Sequence, residues 1–267
     1  MKKLFILLFL ILSSFGFSQV KLLSWNVENF GKSKSNAEIA YIATLLDKYD
    51  LVALQEVVAG YGGAQAVARL ADELNRKGNH WKYTISDATL STPNKTERYA
   101  FLWKTAQLKK IGKAWLEKKY AIEIEREPYL CTFEYHNKQF TAVSFHAITK
   151  SKQPEKEIKY FKFFPSAYPK SNLIFIGDFN CPQSHSVFEP LRKMGYASAL
   201  VNQKTSLKRA FKNGQYLASE FDNMYFSKSK IKKLNSGVVR FYQNFQSLKQ
   251  TRTISDHCPI WMEFSLN

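Results

Sequence analysis

Five stretches of this chain run from apolar residues of strand length into a residue able to ligate a cation or move a proton. Leu22-Leu23-Ser24-Trp25 leads into Asn26, and Leu51-Val52-Ala53-Leu54-Gln55 leads into Glu56. Phe140 to Phe145 leads into His146, and Leu173 to Gly177 leads into Asp178-Phe179-Asn180. Thr253-Ile254-Ser255 leads into Asp256-His257. One such run is ordinary. Five of them, dispersed over most of the chain, imply a sheet whose strand ends converge on one polar site, which is the arrangement of an enzyme.

The residue types narrow the chemistry. Glu56, Asp178 and Asp256 supply carboxylates, with the amides of Asn26 and Asn180 beside them. Hard divalent cations take oxygen ligands, and Mg2+ typically uses only one or two protein carboxylates and keeps several waters. Zinc fits less well, because no two histidines stand at i, i+4 and no cysteine pair has metal spacing. Of the five histidines, His80 and His136 fall in predicted turns and His185 follows the Asp178 loop, so all three are expected on the solvated surface. His146 and His257 end apolar runs. A lone histidine there is usually a satisfied structural residue, but two of them alongside three strand-end acids point to proton transfer, worth roughly 10²–10⁴-fold in rate per group. Each needs a carboxylate to orient it. Glu97 and Asp222, both flanking a strand, are the acids left to do so.

Helices must alternate with those strands. Ala37 to Lys48 carries an apolar stripe at Ile39, Ala40, Ile42, Ala43, Leu45 and Leu46, with Asn36 as the expected N-cap. Ala64 to Asn75 repeats the pattern and stops at Gly78-Asn79. Tyr99 to Trp103 reads as a strand. Tyr129 to Tyr135 reads as another and turns through His136-Asn137-Lys138 into the run ending at His146. Val187 to Lys193 reads as a short helix closed by Gly195, Asp222 to Phe226 as a strand, and Pro259 to Phe264 as the last strand. Helices between strands early on, and strand pairs later, predict an α/β sandwich of two sheet layers with helices on the outer faces.

Lys2 and Lys3 precede the apolar run Leu4 to Leu12, and Gly16 and Ser18 stand at cleavage-compatible spacing. Residues 1–18 therefore read as a signal peptide and residues 19–267 as a single domain, secreted or periplasmic. The apolar run is too short for a membrane span, which needs about 20 residues. Net charge is +17 over the 267 residues, and +15 without Lys2 and Lys3. That excess points to a polyanionic partner: nucleic acid first, an anionic membrane surface second. No protein partner is implied, and a monomer is expected. Cys131, Cys181 and Cys258 make no disulfide framework. Cys181 and Cys258 adjoin site residues and so could approach each other; the plainer reading is two small buried apolar side chains.

Taken in order, Ser24-Trp25-Asn26, Leu54-Gln55-Glu56-Val57, Glu97-Arg98-Tyr99-Ala100-Phe101-Leu102, Gly177-Asp178-Phe179-Asn180 and Ser255-Asp256-His257-Cys258-Pro259 resemble the endonuclease/exonuclease/phosphatase superfamily. Within it, Arg126-Glu127-Pro128 and Phe221-Asp222-Asn223 resemble the deoxyribonuclease I branch. The resemblance implies a metal-dependent endonuclease with little sequence preference, acting on double-stranded DNA with Mg2+, or Mn2+ in its place, and Ca2+ as a second or structural ion. It implies Glu56 as principal metal ligand with Asn26 beside it, and Asp256 as a second ligand or the holder of a second ion. Asp178 and Asn180 would position water and phosphate. His257, oriented by Asp222, would be the base, and His146, oriented by Glu97, the acid or phosphate clamp. Arg126 and Arg98 would contact phosphate; for Arg126 the alternative is an exposed ion pair of little worth.

The chain departs from that branch where the branch reads the duplex. An arginine two residues after the metal glutamate is Val58 here, an aromatic two residues before Glu97 is Lys95, and the disulfide after Gly-Asp-Phe-Asn has no cysteine pair. A phosphodiesterase of the same fold acting on phospholipid head groups, sphingomyelinase-like, is the alternative. Its exposed hydrophobic hairpin has one candidate here, Tyr160-Phe161-Lys162-Phe163-Phe164-Pro165, which also reads as a helix face packed into the core.

Overall fold

The computed structural model of the protein describes residues 19–92, 95–212 and 215–267; the expected leader 1–18 lies outside them. From its start the chain forms β1 (Val20–Phe30), α1 (Asn36–Leu46), β2 (Leu51–Val58), α2 (Tyr61–Arg76), β3 (Trp81–Ile85) and β4 (Glu97–Lys104). β5 (Lys109–Leu116), β6 (Tyr129–Tyr135) and β7 (Lys138–His146) follow, then the short helices α3 (Glu155–Ile158) and α4 (Phe164–Ala167). β8 (Leu173–Asp178), α5 (Glu189–Lys193), β9 (Tyr196–Ser198) and the hairpin β10 (Leu207–Lys212) and β11 (Gln215–Leu217) come next. β12 (Asp222–Ser227), β13 (Ile231–Val238), α6 (Leu248–Ile254) and β14 (Ile260–Leu266) close the chain.

Two six-stranded sheets result, in the orders β13-β14-β1-β2-β4-β3 and β5-β6-β7-β8-β12-β9. Strand alternation builds the layers. Leu22, Ala53 and Phe101 of the first sheet meet Phe133, Ala142, Ile174 and Met224 of the second. Their neighbours Leu23, Trp25, Leu54 and Leu102 face α1 and α2, while Val143, Phe145, Phe175 and Tyr225 pack on Phe161, Phe164 and Phe188. Both faces of the central strands are therefore covered, so they read as unbroken apolar runs. The expected sandwich of two sheets with outer helices is the fold observed.

Several local expectations change. The cap of α1 is Ser35, not Asn36: its hydroxyl accepts from the Glu38 amide, and the Glu38 carboxylate accepts from the Ser35 amide, a reciprocal box that Asn36 has no acidic partner to form. Thr253-Ile254-Ser255 is not a strand but the end of α6, and Asp256-His257 follow as extended chain, bridged at His257 to Ser206. Tyr160–Pro165 is helical, with Phe161 and Phe164 buried, so it forms no exposed hairpin. Cys131, Cys181 and Cys258 are free and buried. They sit in three different core clusters, so Cys181 and Cys258 do not share a core and the plainer reading, small buried side chains, stands. Burial pushes the Cys131 and Cys181 thiols up to about 12, leaving them unreactive.

Candidate active site

The two sheets are arranged so that chemistry gathers at one edge. β1 and β2 run parallel, as do β7 and β8, while β4 and β12 run antiparallel to β2 and β8. The C-terminal ends of the parallel pairs, carrying Asn26, Glu56, His146 and Asp178, therefore meet the N-terminal ends of β4 and β12, which begin at Glu97 and Asp222. Register completes the row: His146 pairs with Asp178, and Asp222 pairs with Asp178 from the other side.

Gly177 makes the approach possible. Its φ is +134°, and a Cβ there would stand 2.0 Å from the Phe145 carbonyl oxygen, so only glycine fits. Asn29, Glu56 and Asn180 hold φ of 51°, 58° and 48°. Left-handed backbone at three non-glycine positions around one cleft is strain held by the surrounding structure, the kind found at functional sites.

The side chains form two matching dyads about one carboxylate. His146 Nδ1 donates to Glu97 Oε2 at 2.8 Å, and His257 Nδ1 donates to Asp222 Oδ2 at 2.7 Å. A carboxylate only accepts, so each bond fixes the proton on Nδ1 and leaves Nε2 for chemistry. The two Nε2 atoms lie 3.5 and 3.7 Å from the same Asp178 Oδ2. Burial opposes charge on His257, but Asp222 and Asp178 outweigh it and hold the imidazole well above its ordinary value. Burial likewise opposes charge on His146, and Glu97 prevails to raise it. Asp178 is buried, yet the flanking His257 and His146 hold its carboxyl below the usual range.

A surrounding set of bonds fixes each member. Asp178 Oδ1 accepts the Asn180 amide at 2.8 Å, and Asn180 Nδ2 donates to Ala147 O at 3.1 Å. Thr205 donates its hydroxyl to Asp222 Oδ2 at 2.6 Å, and Trp25 Nε1 donates to His257 O at 2.6 Å. Ser255 donates to Asn26 O at 2.7 Å and accepts from the His257 amide at 3.1 Å. Glu97 Oε1 accepts the Glu56 amide at 3.3 Å, tying one dyad to the neighbouring acid.

Asn26 Nδ2 donates to Glu56 Oε1 at 3.0 Å and to Asp178 Oδ2 at 3.3 Å. Its Oδ1 is buried with no hydrogen-bond partner. A buried oxygen left unpaired is costly, and beside the half-buried Glu56 it suits a hard cation. Asp256 lines the same cleft as Glu56 but is held by Arg252 at 3.2 Å, while Asn26 is buried and bonded to Glu56. Among the described residues the tightest grouping is instead Asp178, Asp222 and His257, with ligand atoms within 4.8 Å of one another. Its His257 Nδ1 and Asp222 Oδ2 are already bonded to each other, which marks it as a proton-handling group rather than a vacant cage.

Two adjoining clefts of about 440 and 480 Å³ open over these residues and share Asn29, Glu56 and His146. Arg126 is buried, not an exposed ion pair: its Nε donates to His146 O at 2.8 Å and its Nη2 to Ala147 O, with Glu97 at 3.7 Å, and it lines the first cleft. Arg98 spends its Nε on Ala59 O at 2.7 Å and its Nη1 on Ser86 O at 2.8 Å, so it braces loops. Glu28, Asn29, Thr205, Arg209, Arg252 and Ser255 were not anticipated. For Glu28 a signal existed, since it stands two residues after Asn26 on the same strand. Burial, then Asp256, raise its carboxyl. Asn29 lies near the end of the same strand and Ser255 closes the run before Asp256, while Thr205, Arg209 and Arg252 sit on a loop, a hairpin and a helix that no apolar pattern marks.

Two carboxylate-held imidazoles focused on a third carboxylate, at the strand ends of a double-sheet sandwich, form a candidate site for hydrolysis. The profile of the Endonuclease/Exonuclease/phosphatase family matches residues 23–257, and the chain belongs to that family. A protein named deoxyribonuclease from Thioalkalivibrio sp. (strain K90mix) is 26% identical over 98% of this chain and 75% of its own length. Deoxyribonuclease-1 of Bos taurus is 27% identical over 62% of this chain; the match spans only 62% of that relative's length. In fold the chain resembles D. rerio TDP2 complexed with single strand DNA product, at TM-score 0.67 and 16% identity, covering 93% of this chain and 99% of that one. An endonuclease/exonuclease/phosphatase family protein from Bacteroides thetaiotaomicron gives TM-score 0.66 at 16% identity, over 92% and 97% of the two chains.

Proposed function

We propose that this protein is an exported, divalent-metal-dependent endonuclease that hydrolyses DNA phosphodiester bonds with little sequence preference. The observation that carries the reading is the pair of dyads, Glu97–His146 and Asp222–His257, meeting at Asp178 beside Glu56 and Asn26. The deoxyribonuclease-named relatives and the +15 charge of residues 19–267 agree with it.

In this reading His257, with Asp222 holding its tautomer, accepts a proton from the attacking water at Nε2, while Asp178 and Asn180 orient that water and the phosphate. His146, held by Glu97, donates from Nε2 to the leaving oxygen or clamps the phosphate. Arg126 faces the phosphate from the adjoining cleft. Glu56, Asn26 and Asp256 would hold a divalent ion, Mg2+ or Mn2+, which when bound supplies Lewis-acid neutralisation of charge building on the phosphate. Duplex recognition cannot rest on the groove residues of the deoxyribonuclease branch, since Val58 and Lys95 replace them, so affinity is expected from backbone electrostatics.

The test is nicking of supercoiled plasmid by the purified protein under a series of metals. Cleavage that needs Mg2+ or Mn2+ and is lost in Glu56→Gln and His257→Ala supports the reading. Intact plasmid under every metal, or variants that cut as wild type does, would overturn it.

A further inference from the structure

We infer that the β10–β11 hairpin is a stacking arm that holds unpaired nucleic-acid bases beside the catalytic cleft, an inference that rests on the nuclease reading above. The root of the hairpin is a wall of that cleft: Leu207, Arg209 and Ala218 line it together with Asp178 and His257. Further out, Phe211 is 57% and Tyr216 39% exposed. Their ring centroids are 4.7 Å apart, and Tyr216 stacks on Tyr242 at 5.1 Å with an interplanar angle of 25°. Tyr242 is buried. Three rings thus form a ladder, anchored in the core and ending in open solvent.

The arm's charge is of one sign. From Lys204 to Ser219 the chain carries Lys204, Lys208, Arg209 and Lys212 and no acidic residue. Cations that track a phosphate backbone beside exposed aromatic faces are the make-up of a single-strand-binding surface, because every base offers a π-face whatever its identity. In a duplex those faces are already stacked and out of reach, so the arm favours single strands, frayed ends and nicked sites. A bilayer fits less well. Between the two exposed rings the sequence is Lys212-Asn213-Gly214-Gln215, a polar segment where a membrane-inserting hairpin would carry apolar residues.

The test uses metal-free protein, so that binding is read without cleavage. Fluorescence anisotropy follows labelled oligo-dT and a labelled duplex of equal length, with wild type, Phe211→Ser and Lys208→Gln, each first checked for an unchanged melting temperature. The expected result is a loss of about tenfold in oligo-dT affinity for Phe211→Ser with little change for the duplex, while Lys208→Gln weakens both alike. Equal losses of Phe211→Ser on both probes, or none on either, would overturn the proposal. So would loss of binding to phosphatidylglycerol vesicles by Phe211→Ser with oligo-dT binding intact. Plasmid nicking by wild type, measured alongside with Mg2+, judges the nuclease reading separately: its failure leaves the anisotropy result standing, and the reverse.

Discussion

At the residue scale, the site is two imidazoles made to behave alike by two carboxylates on opposite sheets. Glu97 and Asp222 act through the histidines, fixing which nitrogen carries the proton. Glu97→Gln and Asp222→Asn are therefore expected to lower kcat by about 10²-fold or more with KM little changed, since substrate contacts remain while the tautomer is lost; steady-state kinetics on an oligonucleotide reads the split. The imidazoles also couple stability to pH. The folded-state value of His257 is raised above the unfolded 6.5. Its stabilisation is fully present below about pH 6.5 and lost as pH climbs through the raised folded value. In EDTA, the melting temperature of wild type should exceed that of His257→Gln at pH 6, and the gap should narrow as pH rises. A gap that widens toward alkaline pH would refute the sign.

At the element scale, the strands that deliver chemistry are also those covered on both faces, which is why their apolar runs stood out. The sheet edges β13, β3, β5 and β9 were not legible. β5 and β13 are half-buried to exposed and lysine-bearing, reading Lys-Lys-Ile-Gly-Lys-Ala-Trp-Leu and Ile-Lys-Lys-Leu-Asn-Ser-Gly-Val, as edges that must not pair with other chains tend to be. The turn His136-Asn137 was legible, and both residues adopt positive φ, as the tight hairpin between β6 and β7 requires. Gly177→Ala tests how strictly β8 must pass Phe145. The strained φ and the backbone clash should cost about 3 kcal/mol or more and displace Asp178; urea denaturation measures the cost. Ser35→Ala, which removes the cap of α1, should cost about 1 kcal/mol and leave nicking activity as it was.

At the scale of the whole molecule, excess positive charge and an open cleft argue for affinity through phosphates. Binding to duplex DNA is expected to fall roughly 100-fold between about 50 and 200 mM salt, the slope of about four phosphate contacts; a flat salt response would leave the charge without that role. Residue types in order were enough to state the sandwich of two sheets, the family and the two histidines and the acids that the fold gathers into the candidate site. Apolar runs and acids at strand ends are local signals, and each is written where it acts. Other features appear only when distant segments meet. Asp178 becomes the shared centre because β7 and β12 flank β8 in register, and Glu97 and Asp222 join because strands that begin antiparallel end at the same edge. Arg126, expected at the phosphate with a surface ion pair as the alternative, is buried and tied to the end of β7 while still lining the cleft, and Asp256 follows a helix rather than a strand. The aromatic ladder of Phe211, Tyr216 and Tyr242 joins residues from separate segments. Periodicity specifies which side of an element is apolar, but which neighbour it meets there is a matter of sheet order and packing, and those exist only in the folded chain.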